Sequence, residues 1–132
     1  MKNTMVLLVS IGLGLGASPV FASSSFQNTC SNIKFTYVSN MATIKATCLT
    51  RDGNANETSL AIKGIGNNNG NLVKESMGAS TFQKSCGNIQ ITAVDPSTVT
   101  LSAFCRTMGG NSKKTSISLD GIENNDGSLM YK

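Results

Sequence analysis

The sequence predicts an all-β domain built on an internal pseudo-twofold. Three observations carry this: an ordered set of motifs occurs twice, apolar residues alternate at period two, and turn dipeptides separate the alternating runs. Phe26-x3-Cys30-x-Asn32-Ile33 returns as Phe82-x3-Cys86-x-Asn88-Ile89. Thr58-Ser59-Leu60-x-Ile62-x-Gly64-Ile65-x-Asn67-Asn68-Asn69-Gly70-x-Leu72 returns as Thr115-Ser116-Ile117-x-Leu119-x-Gly121-Ile122-x-Asn124-Asn125-Asp126-Gly127-x-Leu129. The offset is 56 residues at the first cysteine of each copy and 57 from the second onward, so one residue is inserted between the cysteines of the second copy. Two copies are too few for a stacked solenoid, which leaves one compact pseudo-symmetric domain.

In chain order, residues 1–22 read as an export signal. Lys2 is the basic start, residues 5–16 are a short glycine-rich apolar run, and Val20-Phe21-Ala22 is a small-x-small cleavage motif. The run is shorter than a bilayer span needs. The expectation is cleavage after about Ala22 and a secreted or periplasmic mature protein, with a first repeat over 23–74, a linker over 75–81 and a second repeat over 82–132. Residues 23–132 then form one domain.

A helical turn is expected near residues 26–30 and 82–86. Next come strands. Ile44, Ala46 and Cys48 face one way while Thr43, Lys45 and Thr47 face the other. Val99, Leu101, Ala103 and Cys105 repeat the core-facing set, against Thr98, Thr100, Ser102 and Phe104. Phe104 is the one large apolar residue on that outer face. Leu60 and Ile62, then Ile117 and Leu119, continue the alternation, and the Thr, Ile and Val content suits a pleated surface. Asp52-Gly53 and Gly109-Gly110 are turn signals. Asn69-Gly70 and Asp126-Gly127 suit the positive φ of two-residue hairpins. Each repeat thus reads as three strands followed by a hairpin. A repeat of this size buries little apolar surface alone, so each hairpin packs either on its own repeat or on the other; the pattern leaves both open.

Export makes the cysteines readable. Cys30, Cys48, Cys86 and Cys105 are an even set in an oxidising compartment, so two disulfides are expected, in any of three pairings. The chain has no histidine and no CxxC pair, which argues against zinc, and no metal or other cofactor is expected. The missing histidine also removes the usual general base and nucleophile partner, so no catalytic residues are assigned and an enzyme is disfavoured. Glu123 and Asp126 are near neighbours, but they align with Gly66 and Asn69, so the first copy holds no matching acid pair. The net charge of +4, one unit of it from Lys2, comes without a dense basic stripe, and tryptophan is absent. Neither nucleic acid nor a membrane is therefore an expected partner.

Amides and hydroxyls dominate what remains. An amide pairs a donor with an adjacent acceptor, which matches vicinal sugar hydroxyls. Asn is also a favoured turn residue. Asn69 and Asp126, each directly before glycine, are read chiefly as turn residues, whereas Asn67 and Asn124 fit turn and binding roles equally.

At this point the repeats resemble the cyanovirin-N homologue lectins. The features that carry the resemblance are Phe-x3-Cys-x-Asn, Ala-x-Cys with Thr and Gly soon after, Ser-[Leu/Ile]-x-[Ile/Leu] and Ile-x-Asn-x-[Asn/Asp]-Gly-x-Leu, each doubled, from Phe26 to Tyr131. The resemblance implies disulfides Cys30–Cys48 and Cys86–Cys105. It also implies a pseudo-symmetric fold whose hairpins are exchanged between repeats, and metal-free binding of high-mannose glycans, chiefly α1-2-linked mannose, at one pocket per lobe. One pocket would use Asn28, Thr29, Leu49 and Arg51 with Asn124 and Asp126. The other would use Ser80, Thr81, Lys84 and Ser85, then Thr107 and Met108, with Gly66 and Asn67.

Departures from the family pattern qualify that expectation. Acidic residues common at three of these positions are here Leu49, Gly66 and Lys84, and a frequent arginine is Met108. Losing one buried hydrogen-bond partner typically costs about 1–3 kcal/mol, so the second pocket is expected to be the weaker. The linker is about three residues longer than in close relatives and lacks proline, so a predominantly monomeric protein is expected, with exchange of halves between two chains as the alternative. A secreted protein-interaction or inhibitor domain on the same scaffold is the competing function.

Overall fold

A computed structural model describes residues 23–132; the expected export signal lies outside the described residues. The described residues form ten strands: β1 (Cys30–Val38), β2 (Met41–Leu49), β3 (Ala55–Ala61), β4 (Lys63–Asn68), β5 (Asn71–Ala79), β6 (Cys86–Asp95), β7 (Thr98–Arg106), β8 (Ser112–Ser118), β9 (Ile122–Asn125) and β10 (Ser128–Tyr131). They pair as two three-stranded antiparallel sheets, β1-β2-β3 and β6-β7-β8, and two hairpins, β4-β5 and β9-β10. Single-turn 3-10 helices at Phe26–Asn28 and Phe82–Lys84 precede the two sheets. The expected all-β repeat of three strands and a hairpin is what forms.

The doubled motifs have local structural causes. Asn32 and Asn88 adopt φ of 53° and 50°, each at a bulge where the ladder slips by one residue. Asparagine tolerates that left-handed backbone, which explains Cys-x-Asn-Ile in both copies. Asn69-Gly70 and Asp126-Gly127 both have positive φ, as a two-residue hairpin turn requires. The inserted residue of the second copy is absorbed by a further bulge in β6, between the Ala93↔Val99 and Asp95↔Thr98 pairs.

One stretch differs from the expected organisation. β5 continues to Ala79, so most of the expected linker is strand. Ile65 pairs with Lys74 and Lys63 with Ala79, so the longer stretch bulges out of the ladder.

Phe26 and Phe82 bring the 3-10 turns into the core, where both are fully buried. Ile44, Ala46 and Cys48, then Val99, Leu101, Ala103 and Cys105, are buried as the alternation requires. Thr43, expected on the outer face, is buried as well; its hydroxyl donates to the Met41 carbonyl at 3.0 Å. The disulfides join Cys30 to Cys48 and Cys86 to Cys105, each between residues directly opposite in a ladder.

Each hairpin crosses to the other repeat. The Leu129 N–H donates to Thr58 Oγ1 and the Leu72 N–H to Thr115 Oγ1, both at 3.1 Å. The doubled threonines are therefore docking acceptors for the opposite hairpin. Gly127 packs on Thr50 and Asn56, and Gly70 on Thr107 and Lys113, so closely that a Cβ would come within 2.8 Å of a threonine methyl at either position. Both positions combine positive φ with this close approach, and glycine is the amino acid that tolerates both.

Candidate functional site

The crossed hairpins create two pseudo-equivalent clefts, each walled by the 3-10 turn of one repeat, the end of that repeat's middle strand, and the tip of the other repeat's hairpin. In the first cleft Asn124 is the staple. Its Nδ2 donates to Thr29 Oγ1 and to the Leu49 carbonyl, both at 2.9 Å, while its Oδ1 accepts from the Gly127 N–H at 2.8 Å. Asp126 Oδ1 accepts from the Arg51 main-chain N–H at 2.9 Å, and Asn56 donates to the Gly127 carbonyl at 2.8 Å. Residues from three distant segments are thereby fixed together.

The second cleft repeats this geometry. Asn67 Nδ2 donates to Ser85 Oγ at 2.9 Å and to the Arg106 carbonyl at 3.0 Å, and its Oδ1 accepts from the Gly70 N–H at 2.8 Å. Asn69 Oδ1 accepts from the Met108 N–H at 2.9 Å, as Asp126 does from Arg51. Beyond the hairpin tips, Thr50 and Thr107 close tight turns over Asn54 and Asn111.

The candidate residues can now be placed. Thr29, Arg51, Asn124 and Asp126 converge at the first cleft, and Asn67, Ser85 and Thr107 at the second. Asn67 and Asn124, which fit two roles from sequence, have their amide atoms engaged within the protein, so they position the cleft. The hydroxyls of Thr29 and Ser85 accept from those amides and keep a proton to donate. Asn28 stands apart: its Nδ2 donates across to the Pro96 carbonyl at 3.0 Å and makes no bond to the Asn124 group. Arg51 reaches Asp126 through its main chain, leaving an exposed side chain. Thr81 and Lys84 are exposed on the 3-10 turn of the second cleft, with the Thr81 N–H donating to the Ile65 carbonyl.

Ser80 departs from its expected place. It is 5 % exposed, and its hydroxyl oxygen accepts from the Ile65 N–H at 3.0 Å. Ser24, its counterpart, holds the Ile122 N–H at 3.1 Å in the same way. These serines dock the crossing hairpins from inside the core, so Ser80 offers no hydroxyl to a ligand.

Gly66 also behaves unlike its counterpart Glu123. The β5 bulge lays the Glu75 carboxylate directly over Gly66, where a Cβ would overlap it. Sequence reasoning missed Glu75, because nothing in its own neighbourhood shows that the bulge folds back onto β4. Leu49 and Met108 are exposed at the two cleft edges, Met108 at 85 %.

A further cavity, about 240 Å³, lies where the repeats meet. Its walls pair equivalent residues of the two copies, Gly64 with Gly121 and Lys63 with Asp120. Lys74 forms an ion pair with Asp120, and the Lys63 ammonium lies 6.0 Å from the Tyr131 ring centre. Burial raises the Tyr131 pKa, while the N–H of Lys63 donating to its oxygen opposes the shift. The Lys74–Asp120 pair thus neutralises part of the charge on the cavity wall. Among the described residues no cluster of acids or cysteines could hold a metal ion. No helix among them is long and apolar enough to cross a membrane.

A family model, CVNH domain, matches residues 26–130. No curated protein matches the chain. Among solved structures, a microvirin:mannobiose complex is 34% identical, with a TM-score of 0.61 over 83% of this chain and 99% of that one. The CVNH protein of T. borchii is 27% identical, with a TM-score of 0.63 over 82% and 99%. A MoCVNH3 variant in complex with (N-GlcNAc)4 is 17% identical, with a TM-score of 0.60 over 84% and 99%, a likeness of fold alone.

Proposed function

We propose a function from one premise: the chain belongs to the CVNH domain family. That is a family of lectins rather than of enzymes, and the chain is a carbohydrate-binding lectin. Its ligand is a mannose-rich glycan with terminal α1-2-linked mannose, taken without metal at one cleft per lobe. The observation that carries this reading is the doubled staple. Asn124 and Asn67 hold a threonine or serine hydroxyl and a hairpin turn in one rigid arrangement at each end, which suits a ligand with vicinal hydroxyls. The mannobiose bound to the 34% identical microvirin supports the choice of sugar.

The first cleft is the stronger. It offers the Thr29 hydroxyl, the exposed Arg51 side chain and the Asp126 carboxylate, whereas the second has an amide, Asn69, in place of that carboxylate and Met108 in place of Arg51. Two linked weak sites raise avidity on a multivalent glycan by about 10²–10⁴. The protein is exported through residues 1–22 and acts as a monomer. The competing reading, a protein-interaction domain, draws on the exposed apolar Leu49 and Met108 at the cleft edges.

Capture of a high-mannose glycoprotein separates the two. Elution by α1-2 mannobiose but not by galactose is the expected result. Capture that no sugar competes would favour a protein surface instead.

A further inference from the structure

The two ends of the molecule share a backbone but not a chemistry. Beside the second cleft lies a cavity of about 390 Å³, within the size range of small-molecule sites, lined in part by Lys84, Ser85, Asn88, Phe104 and Arg106. No carboxylate among the described residues lines it. Lys114 pairs directly with Phe104 across the β7–β8 ladder, so the two side chains leave the same face. The equivalent residues at the first cleft are Asn28 for Lys84, Thr47 for Phe104, Leu49 for Arg106 and Glu57 for Lys114. Three cations and an aromatic ring thus replace an amide, a hydroxyl, an aliphatic chain and an acid.

None of these cations is neutralised by a described residue. Among the described residues the only ion pair is Lys74 with Asp120, at the far cavity. Phe104 is 42 % exposed on a face where its neighbours along the strand are polar. An exposed ring costs solvation unless something covers it, and the flat C–H face of a sugar ring is a suitable cover. Arg106 presents a planar fork that matches a carboxylate or sulfate, and Lys84 adds a point charge.

We propose that this cavity binds the acidic unit of an anionic saccharide, a uronate or a sugar sulfate, with the anionic group on Arg106 and Lys84 and the ring on Phe104. Ser85 and Asn88 meet its hydroxyls, and Lys114 adds to the field. The class of ligand rests on the lectin reading; the charge rests on this cavity alone. Glu75, packed over Gly66, is outside the lining.

The test is a titration of the oxidised protein, followed by amide NMR shifts, with methyl glucuronide, methyl glucoside 6-sulfate and neutral methyl glucoside. Mannobiose in a parallel titration reports the first cleft through Thr29 and Asn124. Shifts should gather at the amides of Lys84, Ser85, Asn88, Phe104 and Arg106, with an anionic sugar binding at least about tenfold tighter than its neutral parent. A response to one anion only identifies which group the cavity takes. Arg106→Gln and Phe104→Thr should each weaken the anionic sugar about tenfold and leave the first-cleft mannobiose response, read at Thr29 and Asn124, unchanged. Equal affinity for charged and neutral sugars would overturn the proposal. So would an anionic response that survives Phe104→Thr and spreads over the surface lysines, which is bulk charge attraction. Silence of Thr29 and Asn124 toward mannobiose would count against the mannose reading and is observed independently of the cavity.

Discussion

Replacing Asn124 by alanine tests whether one amide joins the two repeats. The residue makes three hydrogen bonds, to Thr29, Leu49 and Gly127, at 2.8–2.9 Å. Each contributes a net of about 0.5–1.5 kcal/mol, and the orphaned groups lie near solvent, which places the total toward the lower end, about 2 kcal/mol. For a domain of this size such a loss lowers the melting temperature by roughly 8 °C. Asn67→Ala removes the same three bonds at the other end and should cost a similar amount. The two staples share no partner, so the double variant should lose nearly the sum. Asn68→Ala is the control, an exposed asparagine with no side-chain bond among the described residues. Denaturant unfolding with the disulfides intact gives the numbers. A loss below about 0.5 kcal/mol in both single variants would refute the staple reasoning.

Three more outcomes follow from the fold. Gly127→Ala should destabilise by about 1–3 kcal/mol, because positive φ and the Thr50 methyl both oppose a Cβ, while Gly53→Ala, with similar φ but open space, should cost less; chemical denaturation compares them. Removing one disulfide as Cys30→Ala with Cys48→Ala should lower stability by about 3 kcal/mol, read from the shift in denaturant midpoint. Tyr131 is held above its ordinary pKa of 10.0 by burial, so its contribution is complete below pH 10 and lost as pH rises through the folded value; Tyr131→Phe should flatten the stability profile above pH 10.

The architecture was largely legible because local rules dictate it. Asn69-Gly70 can hardly be anything but a turn, and alternation through Val99, Leu101 and Ala103 fixes one buried face. Hairpin crossing was not legible from pattern. Exchanging the hairpins leaves every local propensity satisfied, and what decides is long-range chemistry, the hydroxyls of Thr58 and Thr115 and the amides of Asn67 and Asn124. Their sequence neighbourhoods look like ordinary strand and turn. Ser80 was misplaced for a related reason: a serine two residues before a buried phenylalanine can point inward to a hairpin N–H or outward to a ligand, and sequence spacing does not separate the two. Phe104 was visible as an outlier with Arg106 two residues on, but Lys84 and Lys114 come from two other segments that only the fold brings to it. Glu75 over Gly66 required the β5 bulge, whose path depends on two glycines in the facing strand.

The account's central claim is that the stapled clefts bind mannose and do so unequally. Amide NMR titration of the oxidised protein with α1-2 mannobiose tests it most directly. Saturable shifts should appear first at Thr29, Arg51 and Asn124, and only at higher sugar at Asn67 and Ser85. Identical titration curves at the two ends would contradict the inequality, and no response at millimolar sugar would contradict mannose as the ligand.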